Sequence, residues 1–145
     1  MRENIEGYCL LEPYKVLDHE ADAGFEVYGH TEEELFQNAT CALFSLITDL
    51  RRIRPEIERH VEITGNEESL IVFLNELLYL WDVERFIPKA ITIVRGSTNI
   101  KVLLKGEMFN EHRHAMVGAV KAVTYHKFSI RKEREILKAT FFVDM

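Results

Sequence analysis

Four stretches concentrate side chains able to do chemistry. Asp18-His19-Glu20-Ala21-Asp22-Ala23-Gly24 packs three carboxylates and an imidazole into seven residues. Carboxylate and main-chain oxygens converging from separated segments suit a hard divalent cation. The same residues also make an ordinary acidic turn, with Asp18 or Asp22 bonded to nearby amides, and composition leaves both readings open. Glu107-Met108-Phe109-Asn110-Glu111-His112-Arg113-His114 offers two histidines and two glutamates to a transition metal. No spacing there fixes a third and fourth ligand, so a solvated polar loop is the simpler reading. In Lys121-Ala122-Val123-Thr124-Tyr125-His126, alternation sets Lys121, Val123 and Tyr125 on one strand face and Thr124 and His126 on the other. For His126, burial beside Phe128 and Ile130 is the structural alternative. Finally, Phe141-Phe142-Val143-Asp144-Met145 ends an apolar strand on a carboxylate. If that strand lies beside the 18–24 turn, Asp22, Asp144 and backbone oxygens complete a cation site. Otherwise Asp144 marks a solvated strand end, which is what pattern alone favours.

These groups must be held by some fold, and the chain bounds which. At 145 residues with no linker, repeat or low-complexity tract, residues 1–145 read as one domain. Acidic residues outnumber basic ones, 24 to 18. The resulting charge near −6 disfavours a direct grip on RNA or DNA. The local basic groups Arg51-Arg52-Ile53-Arg54 and Arg131-Lys132-Glu133-Arg134 read as solvated turns. Cys9 and Cys41 are far apart, so neither a disulfide framework nor a paired-thiolate zinc site is expected, and a reducing, cytoplasmic compartment fits. No signal-peptide pattern or membrane-length apolar run occurs. The absence of a phosphate-binding loop, dinucleotide fingerprint, zinc-protease helix or serine elbow weighs against an ordinary enzyme.

The elements follow from period and punctuation. Tyr14–Asp18 and Gly24–Gly29 read as strands bracketing the acidic turn. Thr31 caps a helix with Glu34 three residues on, a capping box, and the apolar stripe from Leu35 to Ile47 carries that helix to about Leu50. Ile57, Val61 and Ile63 mark a strand before Gly65-Asn66, with Asn66 a cap for the next helix. Leu70, Phe73, Leu74, Leu77, Leu78 and Trp81 give that second helix a wide apolar face, ended by Pro88. Ile91–Arg95 and Thr98–Lys105 form a hairpin around Gly96-Ser97, and Val120–Ile130 with Ile136–Val143 a closing antiparallel pair. The expected class is α+β, a mixed and largely antiparallel sheet with two long helices packed on it.

Taken in order, several segments resemble the archease family, whose members activate the RtcB-type RNA ligase of tRNA splicing. His19-Glu20-Ala21-Asp22-Ala23-Gly24 is similar to the family's His-Thr-Ala-Asp-x-Gly turn, and Asn75-Glu76-Leu77-Leu78-Tyr79-Leu80 to its second-helix signature. Val120-Lys121-Ala122-Val123-Thr124-Tyr125-His126 and the ending Val143-Asp144-Met145 match as well. Glu20 stands where the family has threonine, and Ala119 where an acidic residue commonly precedes the Val-Lys-Ala motif. The resemblance implies a metal site of Asp22, Asp144 and the main-chain oxygen of Met145, an oxygen set suited to calcium or a similar divalent ion. It adds His19, Lys121, His114 and His126 as candidates for the working surface. The implied role is that of a non-catalytic cofactor that promotes guanylylation and multiple turnover of the ligase, with RNA met through the ligase and no membrane partner. An oligomer stays open. The competing readings are a general chaperone or modulator of RNA-modification enzymes, and a small metal-dependent hydrolase using His19 with Asp22.

Overall fold

The computed structural model describes residues 14–17 and 23–145. The chain runs β1 (Tyr14–Leu17), β2 (Ala23–Gly29), α1 (Glu32–Phe44), β3 (Ile57–Thr64), α2 (Ser69–Glu84), β4 (Phe86–Arg95), β5 (Asn99–Met108), β6 (Ala122–Glu133) and β7 (Ile136–Asp144). The class is α+β, as the pattern predicts. The strands, however, divide between two sheets, β1-β2-β7-β6 and β3-β5-β4, and every pairing between these strands is antiparallel. One sheet had been expected; two form because both helices need cover on opposite sides. α1 packs on β2 and β7 of the first sheet and on β4 of the second, while α2 packs on β6 and on β3 and β4.

That double cover explains the burial. All residues of α1 from Leu35 to Phe44 are buried, polar ones included. Phe25, Phe36, Phe73 and Phe141 lie fully inside, Phe36 stacking on Phe73 with ring centroids 5.0 Å apart. Each such ring contributes roughly 1.5–3 kcal/mol over an exposed one.

Thr31 caps α1 as expected, its hydroxyl accepting the Glu34 N–H at 3.1 Å. The return bond of the box is displaced by one residue, with His30 rather than Thr31 donating its N–H to Glu34 Oε1 at 2.7 Å. The helix stops at Phe44, short of the expected Leu50. Ile47 and Thr48 are drawn instead into contact with a distant loop, the Ile47 carbonyl accepting from Val117 N–H and the Thr48 hydroxyl donating to Ala115 C=O. Asn66 caps a turn ahead of α2, accepting from Glu68 N–H, and the N-cap position falls on Glu68. Nor does Pro88 end α2. Arg85 does so in a left-handed conformation (φ 59°), and Pro88 sits within β4 at a register shift. Cys41, inside α1, is disulfide-bonded, a covalent link its spacing from Cys9 did not suggest; Cys9 lies outside the described residues. Among the described residues, no helix is long and apolar enough to cross a membrane.

Candidate functional site

Strand register brings three of the sequence motifs to one end of the first sheet. Ala23, the residue after Asp22, pairs with Val143, and Ala122 pairs with Asp144 on the other side of β7. Lys121 N–H donates to the Asp144 main-chain oxygen at 2.8 Å, which fixes the start of β6 to the end of β7. Asp144 and Met145 are exposed, and the Asp144 carboxylate has no ion-pair partner among the described residues. His19, Glu20 and Asp22 lie outside the described residues. Without them, no group of three or more His, Cys, Asp or Glu side chains converges among the described residues. The described half of the site offers oxygen donors only, an Asp carboxylate at a solvent-facing strand end, which fits a hard cation rather than zinc.

Gly24 has its own reason to be glycine. A Cβ there would lie 2.4 Å from the Phe142 ring, which covers it from the neighbouring strand. The glycine of the acidic turn therefore seats the last apolar side chain before Val143 and Asp144. Thr124, opposite Phe142 on the other flank, donates its hydroxyl to the Phe142 carbonyl at 3.3 Å.

The start of β6 has a second anchor that the sequence did not disclose. Asn75 of α2 accepts the Val123 N–H on Oδ1 at 2.9 Å and donates from Nδ2 to the Val123 carbonyl at 2.9 Å. Val123 lies opposite Val143 with its peptide groups turned outward at the sheet edge, and the Asn75 amide serves as the missing neighbouring strand. The available signals were its place at the head of the Asn75–Leu80 segment that resembles the family's second-helix signature and its polarity between the buried Leu74 and Leu77.

Beyond Thr124 the strand leaves its ladder. Pairing resumes at Ser129 opposite Thr140, so Tyr125, His126, Lys127 and Phe128 stand against the single residue Phe141. Lys127 takes a left-handed conformation (φ 56°) inside this bulge. Tyr125, His126 and Lys127 are exposed, which overturns the alternative of a buried His126. Lys121 is exposed too.

His114 belongs to a different place. It is 5% exposed, and its Nδ1 accepts the Asn110 N–H at 2.9 Å while Nε2 lies 3.2 Å from Glu107 Oε1. Glu107 is also buried, and it receives Arg113 through its guanidinium and Arg54 through its N–H at 2.9 Å. Burial alone would raise the Glu107 carboxyl, but Arg113, the Arg54 amide and the nearby charges outweigh it and hold the group at about 2. The expected solvated loop is thus a hydrogen-bonded crossover from β5 to β6, pinned by Glu107 and His114. His112 and Glu111 line an open cleft of about 470 Å³ beside it, with Glu56 and Asn110.

These motifs and this topology coincide with one known family. The model of the Archease protein family (MTH1598/TM1083) matches residues 14–145. The chain belongs to the archease family. The protein archease of Methanosarcina mazei is 38% identical over 139 residues, spanning 91% of this chain and 95% of the relative. That of Pyrococcus furiosus is 36% identical over 128 residues, spanning 84% and 90%. The solution structure of Methanobacterium thermoautotrophicum protein 1598 superposes with a TM-score of 0.79 at 33% identity, covering 93% of this chain and all of that one. An archease of Thermotoga maritima, described as a possible chaperone, shares the fold at a TM-score of 0.63 and 22% identity, over 90% and 96% of the two chains.

Proposed function

We propose that this archease is a non-catalytic activator of an RtcB-type RNA ligase, acting in tRNA splicing through a conditional metal site at the open end of the first sheet. The observation that carries the reading is the convergence of the Ala23, Lys121–Ala122 and Asp144 positions through two ladders and one backbone bond. Asp22, Asp144 and the main-chain oxygen of Met145 are the proposed ligands. Carboxylates repel phosphate, so a bound divalent cation such as calcium would supply the positive charge needed near a nucleotide or an RNA end. This chain's own residues orient the donors: Lys121 N–H holds the Asp144 backbone, and Phe142 over Gly24 fixes the strand that carries it. Lys121, His19 and the bulge residue His126 are proposed contacts with the ligase; His114, buried under its loop, acts by holding the crossover. RNA is then met through the ligase, in a cytoplasmic setting.

The test is ligase turnover with GTP and a split RNA substrate, comparing wild type with folded Asp22→Ala and Asp144→Ala proteins. Many turnovers with wild type and a single one with either variant supports the reading; equal stimulation by all three removes the metal site from the mechanism. A chaperone-like reading is favoured by a separate observation: Val72, Tyr79 and Val83 form one exposed stripe along α2. It expects stimulation to survive Asp144→Ala and to fall with Tyr79→Ser and Val83→Ser together.

A further inference from the structure

We infer that Asn75 is a positioning residue for the Asp144 end of the sheet, an inference that rests on the metal-site reading above. The path is short and continuous. Asn75 holds Val123 by both its N–H and its carbonyl, each at 2.9 Å. Two residues earlier, Lys121 N–H holds the Asp144 main-chain oxygen at 2.8 Å, and Ala122 pairs with Asp144 between them.

β6 needs this help because of where it lies. Among the described residues it is the edge strand of its sheet, with β7 on one side and no strand on the other. Its ladder to β7 covers only Ala122–Thr124 before the four-residue bulge interrupts it. Before Ala122 comes the irregular crossover, and Lys121 itself is exposed. Three ladder residues between two irregular stretches hold register weakly, and a slip by one residue would turn every side chain over. Asn75 removes that freedom. Its own place on the helix is set by a third bond, Nδ2 to the Ile71 carbonyl at 3.1 Å, and by the buried Leu74 and Leu77 beside it. A rigid helix, seated in the core, thereby dictates where a weakly paired strand begins and where the Asp144 carboxylate stands. The arrangement has the form of an outer-shell support for a metal ligand, a support whose loss typically weakens metal affinity about 10- to 100-fold.

The experiment measures calcium affinity by titration calorimetry and amide hydrogen exchange by NMR on the full chain. Three proteins are compared with wild type: Asn75→Ala, Asn75→Asp, and Thr31→Ala as a destabilised control whose change lies at the start of α1. The expected result is calcium binding about 10-fold weaker in Asn75→Ala, with faster exchange at Val123 and Lys121 while the amides of β2 stay protected. Thr31→Ala should keep wild-type affinity. Asn75→Asp retains the acceptor for Val123 N–H but sets a carboxylate against the Val123 carbonyl, so it should also bind calcium more weakly. Unchanged affinity in Asn75→Ala overturns the inference alone. Tighter binding in Asn75→Asp overturns it as well, because charge rather than position would then govern the site. A wild type that takes up no calcium removes the metal reading, and this inference with it.

Discussion

Gln37 and Asn75 do the same physical task at the edges of different sheets, and they do it to different degrees. Gln37 of α1 donates from Nε2 to the Lys89 carbonyl at 2.9 Å and accepts the Ile91 N–H on Oε1 at 2.8 Å. It thus spans two residues of the edge strand β4. Glu33 continues the work by accepting the Ile93 N–H at 2.8 Å, and Glu32 pairs with Arg95 at the strand's end. A whole face of α1 therefore stands in for a fourth strand of that sheet. Asn75 serves a single residue of β6, at a half-buried position, and the strand beyond it is released into a bulge. The first edge is sealed along its length, from Gln37 in the core out to the exposed Glu33 and the half-buried Glu32, and the second is pinned at one point beside exposed groups. Backbone left unpaired in a core costs more than backbone beside solvent, so the sealed edge carries stability and the pinned edge carries placement.

That contrast can be broken by mutation. Gln37→Leu removes the hydrogen bond to the buried Ile91 N–H and the one to the half-buried Lys89 carbonyl. A loss of about 3–4 kcal/mol is expected from two such groups, read by urea denaturation. A loss below about 1 kcal/mol would mean that the α1 edge is not sealed by Gln37. Next comes the pin of the crossover that leads into β6. The Glu107 carboxyl lies below its unfolded value, so the stability it contributes is complete above about pH 4.5 and lost as pH falls toward about 2. Glu107→Gln should remove on the order of 2 kcal/mol at neutral pH and flatten the acid limb of the stability curve between those values. An unchanged acid limb would exclude Glu107 as the anchor. Asn75→Ala should cost only about 1–1.5 kcal/mol, since water can reach the freed Val123 groups, and the comparison stands only if this is clearly less than for Gln37. Smallest, Thr31→Ala at the α1 cap should cost about 1 kcal/mol and leave β6 untouched by hydrogen exchange.

Much of the fold was legible because its signals are local. Thr31 with Glu34, the stripe from Leu70 to Trp81 and the alternation of Ile100, Val102 and Leu104 each declare an element within a few residues. What failed was set by distant partners. The apolar period runs past Phe44 to Ile47, yet the helix ends there because Ile47 and Thr48 bind a loop nearly 70 residues on. Arg85 ends α2 in a left-handed turn with no glycine to announce it. At the site, the segments carrying Lys121 and Asp144 were marked by their residue types and do meet, through the Lys121 N–H and the Asp144 main-chain oxygen, but helical spacing says nothing of which polar side chain reaches a strand edge. Gln37 and Asn75 were therefore invisible as edge partners. His114 and Glu107 likewise read as loop polarity, because burial of an irregular segment leaves no periodic trace.

The division into two sheets also dictates an order of assembly. β3, α2, β4 and β5 are contiguous in the chain and can pair as each emerges. The other sheet joins β2 to β7, so Phe25 must await Phe141, over a hundred residues later in synthesis. Contacts of such sequence separation form slowly and last. On a ribosome, the nascent chain would hold a paired second sheet while β1, β2 and β6 waited for β7 to join them. An archease stalled before β7 would have its second sheet paired and would lack the end of the first, where Asp144 stands.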